Sequence, residues 1–102
     1  MKTTMNDKLL GIINGLLDLG AIIELYKSGG SLCADLQTGM KSHCYLVAHD
    51  DMIVAEMRYD KSVEIDTVDD VLAAVKSCMQ GRTYLSSAWD DVFKQIGYYG
   101  AG

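Results

Sequence analysis

The apolar residues of this chain repeat with a period near 3.6 at both ends and a period of two in the middle. That change of period restricts the fold more than any single motif. Near the start, Met5, Leu9, Ile12, Ile13 and Leu16 form one helical stripe. Towards the end, Val68, Val71, Leu72, Val75 and Met79 form a second, and Trp89, Val92, Phe93 and Ile96 a third. These i, i+3, i+4, i+7 patterns each bury one face of a helix. Between Ala21 and Ile65 the pattern alternates instead, in "AIIELYK", "SLCADLQ", "HCYLVAH", "MIVAEMRY" and "SVEI". Alternation buries one face of a strand. The expectation is one α+β domain over residues 1–102. It comprises a four- to five-stranded antiparallel meander with an N-terminal helix and two C-terminal helices on one face. The helices are expected at about 5–19, 68–80 and 88–96, and the strands at about 21–65.

The helix ends carry their own chemistry. Thr4 with Asp7, Thr67 with Asp70 and Ser87 with Asp90 read as N-caps with an acid three residues on, a variant of the capping box. Gly20, Gly81 and Gly97 close the same helices. The chain has no proline, so its turns rest on glycine and on Asn, Asp and Ser.

Two-residue turns at Gly29-Gly30 and Asp50-Asp51 fix a register. Leu25 falls opposite Ala34, Ile23 opposite Leu36, Leu46 opposite Ala55 and Cys44 opposite Met57, apolar against apolar as a shared core face requires. A connection of odd length, for example Gly39-Met40-Lys41, sets Leu36 opposite Cys44. The other face then carries three rows: Glu24, Asp35, Tyr45, Glu56; Ile22, Gln37, His43, Arg58; and Tyr26, Cys33, Val47, Val54.

Glu24 opposite Asp35 is the unusual pair, because opposed like charges cost about 0.2–1 kcal/mol. A basic partner, a cation or a shared proton would justify it. Acid also accumulates along the chain at Asp50, Asp51, Glu56, Asp60, Glu64, Asp66, Asp69 and Asp70, against Arg58 and Lys61 alone. Such a surface can mimic the spacing of phosphates, or simply be a solvated face and a helix N-terminus. The net charge of −5 argues against direct nucleic-acid binding, which uses a basic stripe, and fits a basic protein or nucleoprotein partner.

The stretch "KSHCYLVAHDD" concentrates histidine, cysteine and aspartate. Cys44 shares its face with Leu46 and Ala48 and points to the core. His43 and His49 share the other face but lie roughly 20 Å apart on a strand, too far for one metal ion. Cys33 is the best candidate thiol, with His43 on the same face, and Glu24 with Asp35 is the best acid/base pair. No third residue orients the first pair, and a flat sheet face offers no dry pocket to the second. There is no P-loop, nucleotide fingerprint or nucleophile elbow. No metal or cofactor is expected. Three widely spaced cysteines, Cys33, Cys44 and Cys78, fit reduced thiols and a cytoplasmic protein.

Gly11 and Gly15 lie one turn apart on the polar side of the first helix. Each costs about 0.8–1 kcal/mol relative to alanine. A groove for another helix or a second subunit would justify them, so they are a candidate oligomer face. The N-terminal run "LLGIINGLLDLGAII" is interrupted by Asn14 and Asp18, and no membrane span is expected.

The last third, "DDVLAAVKSCMQGRTYLSSAWDDVFKQIGYYG", joins a capped helix, a "GR-x-Y" link and a short "W-x-x-x-F-x-x-x-G" helix. It resembles small accessory proteins of tailed phages, over about Val68 to Gly100. That resemblance implies no catalytic residue and favours a stoichiometric inhibitor over an enzyme. The expected function is therefore a small acidic protein-binding module. It would be a phage-encoded inhibitor of a host or anti-phage-defence nucleoprotein, acting by anti-CRISPR-like or DNA-mimic occlusion. Its expected contacts are Glu24, Asp35, Tyr45 and Glu56 on the sheet and Asp50 and Asp51 at a hairpin tip. The alternatives are an immunity protein neutralising a basic toxin, a small enzyme using Glu24/Asp35 or Cys33/His43, and a self-assembling protein docking through Gly11 and Gly15.

Overall fold

A computed structural model of the chain describes residues 4–39, 44–57, 61–78 and 85–97. The order of elements is α1 (Met5–Asp18), β1 (Glu24–Ser28), β2 (Ser31–Asp35), β3 (Tyr45–Ala48), β4 (Ile53–Glu56), β5 (Ser62–Ile65), α2 (Val68–Cys78) and α3 (Ser87–Gln95). The five strands form one antiparallel sheet in chain order. This is the α+β meander that the change of period predicts. His43, Arg58, Gly81, Tyr84, Tyr98 and Tyr99, together with the Met40-Lys41 part of the β2–β3 connection, lie outside the described residues.

The helix boundaries follow their caps. The Asp7 N–H donates to Thr4 Oγ1 at 3.0 Å. At α2 the box is reciprocal: Asp70 N–H donates to Thr67 Oγ1 at 3.2 Å, and Thr67 N–H to Asp70 Oδ2 at 3.0 Å. α1 ends in a Schellman motif, with Gly20 at φ 101° and the N–H groups of Gly20 and Ala21 donating to the carbonyls of Leu17 and Leu16. At α3 the cap is Ser86, one residue earlier than expected: its Oγ accepts the Trp89 N–H at 3.4 Å.

The predicted register holds in the ladder. Leu25 faces Ala34, Leu46 faces Ala55, and the row Glu24, Asp35, Tyr45, Glu56 runs across four strands. Beyond the regular strands, Leu36 N–H donates to the Cys44 carbonyl at 3.2 Å, and His49 N–H to the Met52 carbonyl at 2.8 Å. The core lies between the inner face of the sheet and the helices. Leu36, Leu46, Ala55 and Ile65 from the sheet join Leu9, Leu16, Val75, Trp89 and Phe93 in one buried cluster.

Two details depart from a uniformly covered sheet. β1 is exposed along its whole length, and Leu25, on the core side, is 44% exposed. The helix layer lies over β2, β3 and β5 instead. Gly15 packs within the chain: a Cβ there would stand 2.8 Å from Val68 Cγ2 of α2. The half of the proposed oligomer groove at Gly15 is thus filled by α2, whereas a Cβ on Gly11 would meet open space.

α3 is bolted to the end of β2. Trp89 Nε1–H donates to the Leu36 carbonyl, Ser86 Oγ–H to the Gln37 carbonyl at 3.1 Å, and Ser86 N–H to the Thr38 carbonyl at 2.7 Å. Between these anchors Gln37 takes a left-handed backbone, φ 51°. A non-glycine residue holds that conformation only when its surroundings fix it.

Candidate functional site

The left-handed turn at Gln37 shapes the outer face. Its N–H donates to Asp35 Oδ1 at 3.1 Å. Its side-chain amide turns over the sheet, where Nε2 donates to Asp35 Oδ2 at 3.2 Å and to Glu24 Oε2 at 3.3 Å. One amide nitrogen therefore bridges the two opposed carboxylates. Sequence reasoning placed Gln37 on this face and missed its role, because a positive φ at glutamine leaves no signal in the sequence. The only local hint is its spacing two residues after Asp35, which suits a short side-chain-to-backbone turn.

Tyr45 stands on the other side of Asp35, and Glu56 beyond it. Tyr26, 41% exposed, occupies the next row beside Cys33. Desolvation first, and then the acidic groups Cys33, Tyr45, Asp35 and Glu56, hold the Tyr26 phenol above its ordinary pKa. It is thus a protonated hydrogen-bond donor at neutral pH. Glu24 and Glu56 mark the two ends of a row about 14 Å long, at the usual spacing between strands.

The structure sets the other acidic candidates apart from the Glu24–Asp35 end of this row. Asp50 and Asp51 are exposed at the β3–β4 turn, five and six residues along the chain from Tyr45 and so about 17 Å or more away along the strand direction. Asp66 is ion-paired with Lys8 of α1. Asp70 accepts the N–H groups of Asp66 and Thr67, which hold its carboxyl below the usual value. The acidic run of the sequence therefore divides into structural carboxylates at Asp66 and Asp70 and exposed carboxylates at Asp50, Asp51, Glu56, Glu64 and Asp69; Asp60 lies outside the described residues.

Cys33 does not serve as an accessible thiol. It belongs to an outward row, but its short side chain sits between Tyr26 and Val47 and only 3% of it is exposed. Shallow, open depressions lie at the turn end of the sheet, against Ser31, His49, Asp50, Asp51 and Glu56. Neither is lined by Glu24, Asp35 or Cys33. Among the described residues no group of three His, Cys, Asp or Glu side chains converges as a metal site. No helix is long and apolar enough to cross a membrane among them. Comparison with protein-family models, curated proteins and solved structures finds no match for this chain.

Chemically, the row offers two carboxylates converging on one hydrogen-bond donor, with a tyrosine on either side and a third carboxylate within reach. That arrangement is suited to a planar cation. An arginine guanidinium carries parallel donors for carboxylates and stacks on aromatic rings.

Proposed function

We propose that the chain is a protein-binding module whose outer sheet face receives an arginine-bearing surface of a basic partner. The observation that supports this is the convergence of Glu24 and Asp35 on the single Nε2 of Gln37. Two opposed carboxylates are costly to a sheet on their own. Here both are held within hydrogen-bond distance of one amide nitrogen, with Glu24 and Gln37 exposed. The Gln37 amide occupies that position within the free chain and is displaced by the stronger, charged donor. Tyr45 and Tyr26 flank the incoming side chain, and Glu56 holds a second cation.

In this role the chain is a stoichiometric inhibitor. It covers the nucleic-acid-binding surface of a host or anti-phage-defence nucleoprotein, as the resemblance to phage accessory proteins implies. Binding is then salt-sensitive, since it rests on exposed charges.

The test is titration calorimetry with arginine-rich and lysine-rich peptides of equal charge, at low and high salt. The arginine peptide is expected to bind several-fold more tightly, because only it forms the forked pair. Glu24→Lys combined with Asp35→Lys is expected to abolish binding while circular dichroism stays unchanged. Unaltered affinity in that folded variant refutes the site, and equal affinity for the two peptides refutes the arginine preference.

A further inference from the structure

Among the described residues the first strand is a free edge of the sheet, and its neighbour fixes which of its backbone groups face outward. Leu32 N–H donates to Asn6 Oδ1 at 3.1 Å and Leu36 N–H to the Cys44 carbonyl. The amides on this side of β2 therefore point away from β1. Lys27 lies opposite Leu32, and Leu25 opposite Ala34, which alternates in step with Leu32 and Leu36; in an antiparallel ladder both therefore direct their own N–H and C=O groups to the free edge. The edge has no proline, and its register with β2 is unbroken over five pairs. Leu25 on the inner face and Tyr26 on the outer are each more than two-fifths exposed. An edge of this kind is a template for another strand.

We infer that β1 pairs antiparallel with β1 of a second copy of this chain, about a two-fold axis at Tyr26. The strand sequence Glu-Leu-Tyr-Lys-Ser is self-complementary about its centre. With the two Tyr26 residues opposed, Leu25 faces Lys27 of the second copy and Glu24 faces its Ser28. All five residues pair, and every side chain keeps its own face of the sheet. The outward groups of Leu25 and Lys27 meet as hydrogen-bonded pairs, giving four new backbone bonds by the antiparallel pattern. The Lys27 stem covers Leu25 while its ammonium reaches solvent over an inner face left exposed among the described residues. The two Tyr26 rings take the close, non-hydrogen-bonded position where aromatic pairs gain most.

Charge selects this register. It sets Glu24 against a hydroxyl and keeps the two Glu24 residues about 14 Å apart along the strands. Centring on Leu25 instead brings the two glutamates to diagonal positions about 7–8 Å apart and leaves Lys27 and Ser28 facing residues outside the strand. The other edge, β5, has four residues. Face-matched self-pairing there leaves one residue out, or opposes Glu64 to itself.

Each copy carries a net charge of −5, so salt strengthens this association by screening repulsion. Binding of a basic partner responds in the opposite sense, and the two contacts are thereby distinguishable. Sedimentation equilibrium of the wild-type chain up to about 100 μM is expected to show twice the chain mass, with more dimer at high salt. Tyr26→Glu, a surface change that opposes like charges at the axis, is expected to give a folded monomer. Glu24→Cys and Ser28→Cys chains are expected to form a disulfide-linked dimer on oxidation when mixed, and not when separate. A wild-type monomer throughout, a Tyr26→Glu dimer, or cross-linking indifferent to mixing overturns the pairing.

Discussion

Gln37 donates its side-chain amide to Glu24 across 3.3 Å while its own backbone sits at φ 51°. The first property belongs to the side chain and the second to the main chain, so substitutions separate them. Gln37→Gly relieves the left-handed conformation and loses only exposed hydrogen bonds, and its stability is expected to stay within about 1 kcal/mol of wild type. Gln37→Val places a β-branched residue in the same conformation and is expected to be less stable than Gln37→Gly by about 1–3 kcal/mol. Urea unfolding of the two variants measures the difference.

Trp89→Phe keeps most of the buried ring and removes the donor to the Leu36 carbonyl. That carbonyl, at the edge of a fully buried residue, then lacks its indole partner. A loss of about 1–3 kcal/mol is expected, seen as a lower urea midpoint at unchanged slope.

Gly11 and Gly15 are expected to answer alanine in different ways. Gly11→Ala enters open space and is expected to stabilise the chain by about 0.8–1 kcal/mol through helix propensity. Gly15→Ala brings a methyl group to 2.8 Å from Val68 Cγ2, on a side chain with little rotamer freedom. It is expected to show less gain or a net loss. Combining it with Val68→Ala is expected to recover the propensity gain, a coupling that a double-mutant cycle reads directly.

Asp70 links stability to acid. Backbone N–H groups of Asp66 and Thr67 lower its folded pKa, so the folded state binds its proton less readily than the unfolded state does. Its contribution is fully present above the unfolded value of about 3.9 and is lost as pH falls through the lower folded value. Asp70→Asn is therefore expected to destabilise the chain at pH 5 and above. The difference from wild type is expected to shrink as the solution is acidified below pH 4. Thermal unfolding of both proteins across that range checks the sign.

What the sequence revealed and what it hid have physical reasons. The register was legible because Gly29-Gly30 allows one short turn, and because a slip by one residue would carry Leu46 and Ala55 out of the core. The caps at Thr4 and Thr67 were legible because their partners lie three residues away. Ser86 and Ser87 both have a suitable spacing, and local sequence favours Ser87 through the acid at Asp90. The choice rests on the Gln37 and Thr38 carbonyls, which are remote in sequence. The same remoteness hid the bridging role of Gln37, the α2 neighbour of Gly15 and the bare inner side of β1. Each depends on where a helix docks, which periodicity does not encode. The carboxylate row was found as residues; the amide that joins two of its members was not.

The order of strands across the sheet equals their order along the chain, and this has a consequence for the route by which the chain folds. Each strand pairs with its immediate successor, so loop closures are short and the meander can assemble from local hairpins. One of the long closures is the clasp from Ser86 and Trp89 back to Leu36, Gln37 and Thr38, about fifty residues earlier. It requires a hairpin that already exists. Contacts within the β3–β4 hairpin are therefore expected to be formed early, and those of the α3 clasp late, with Trp89 substitutions speeding unfolding far more than they slow refolding.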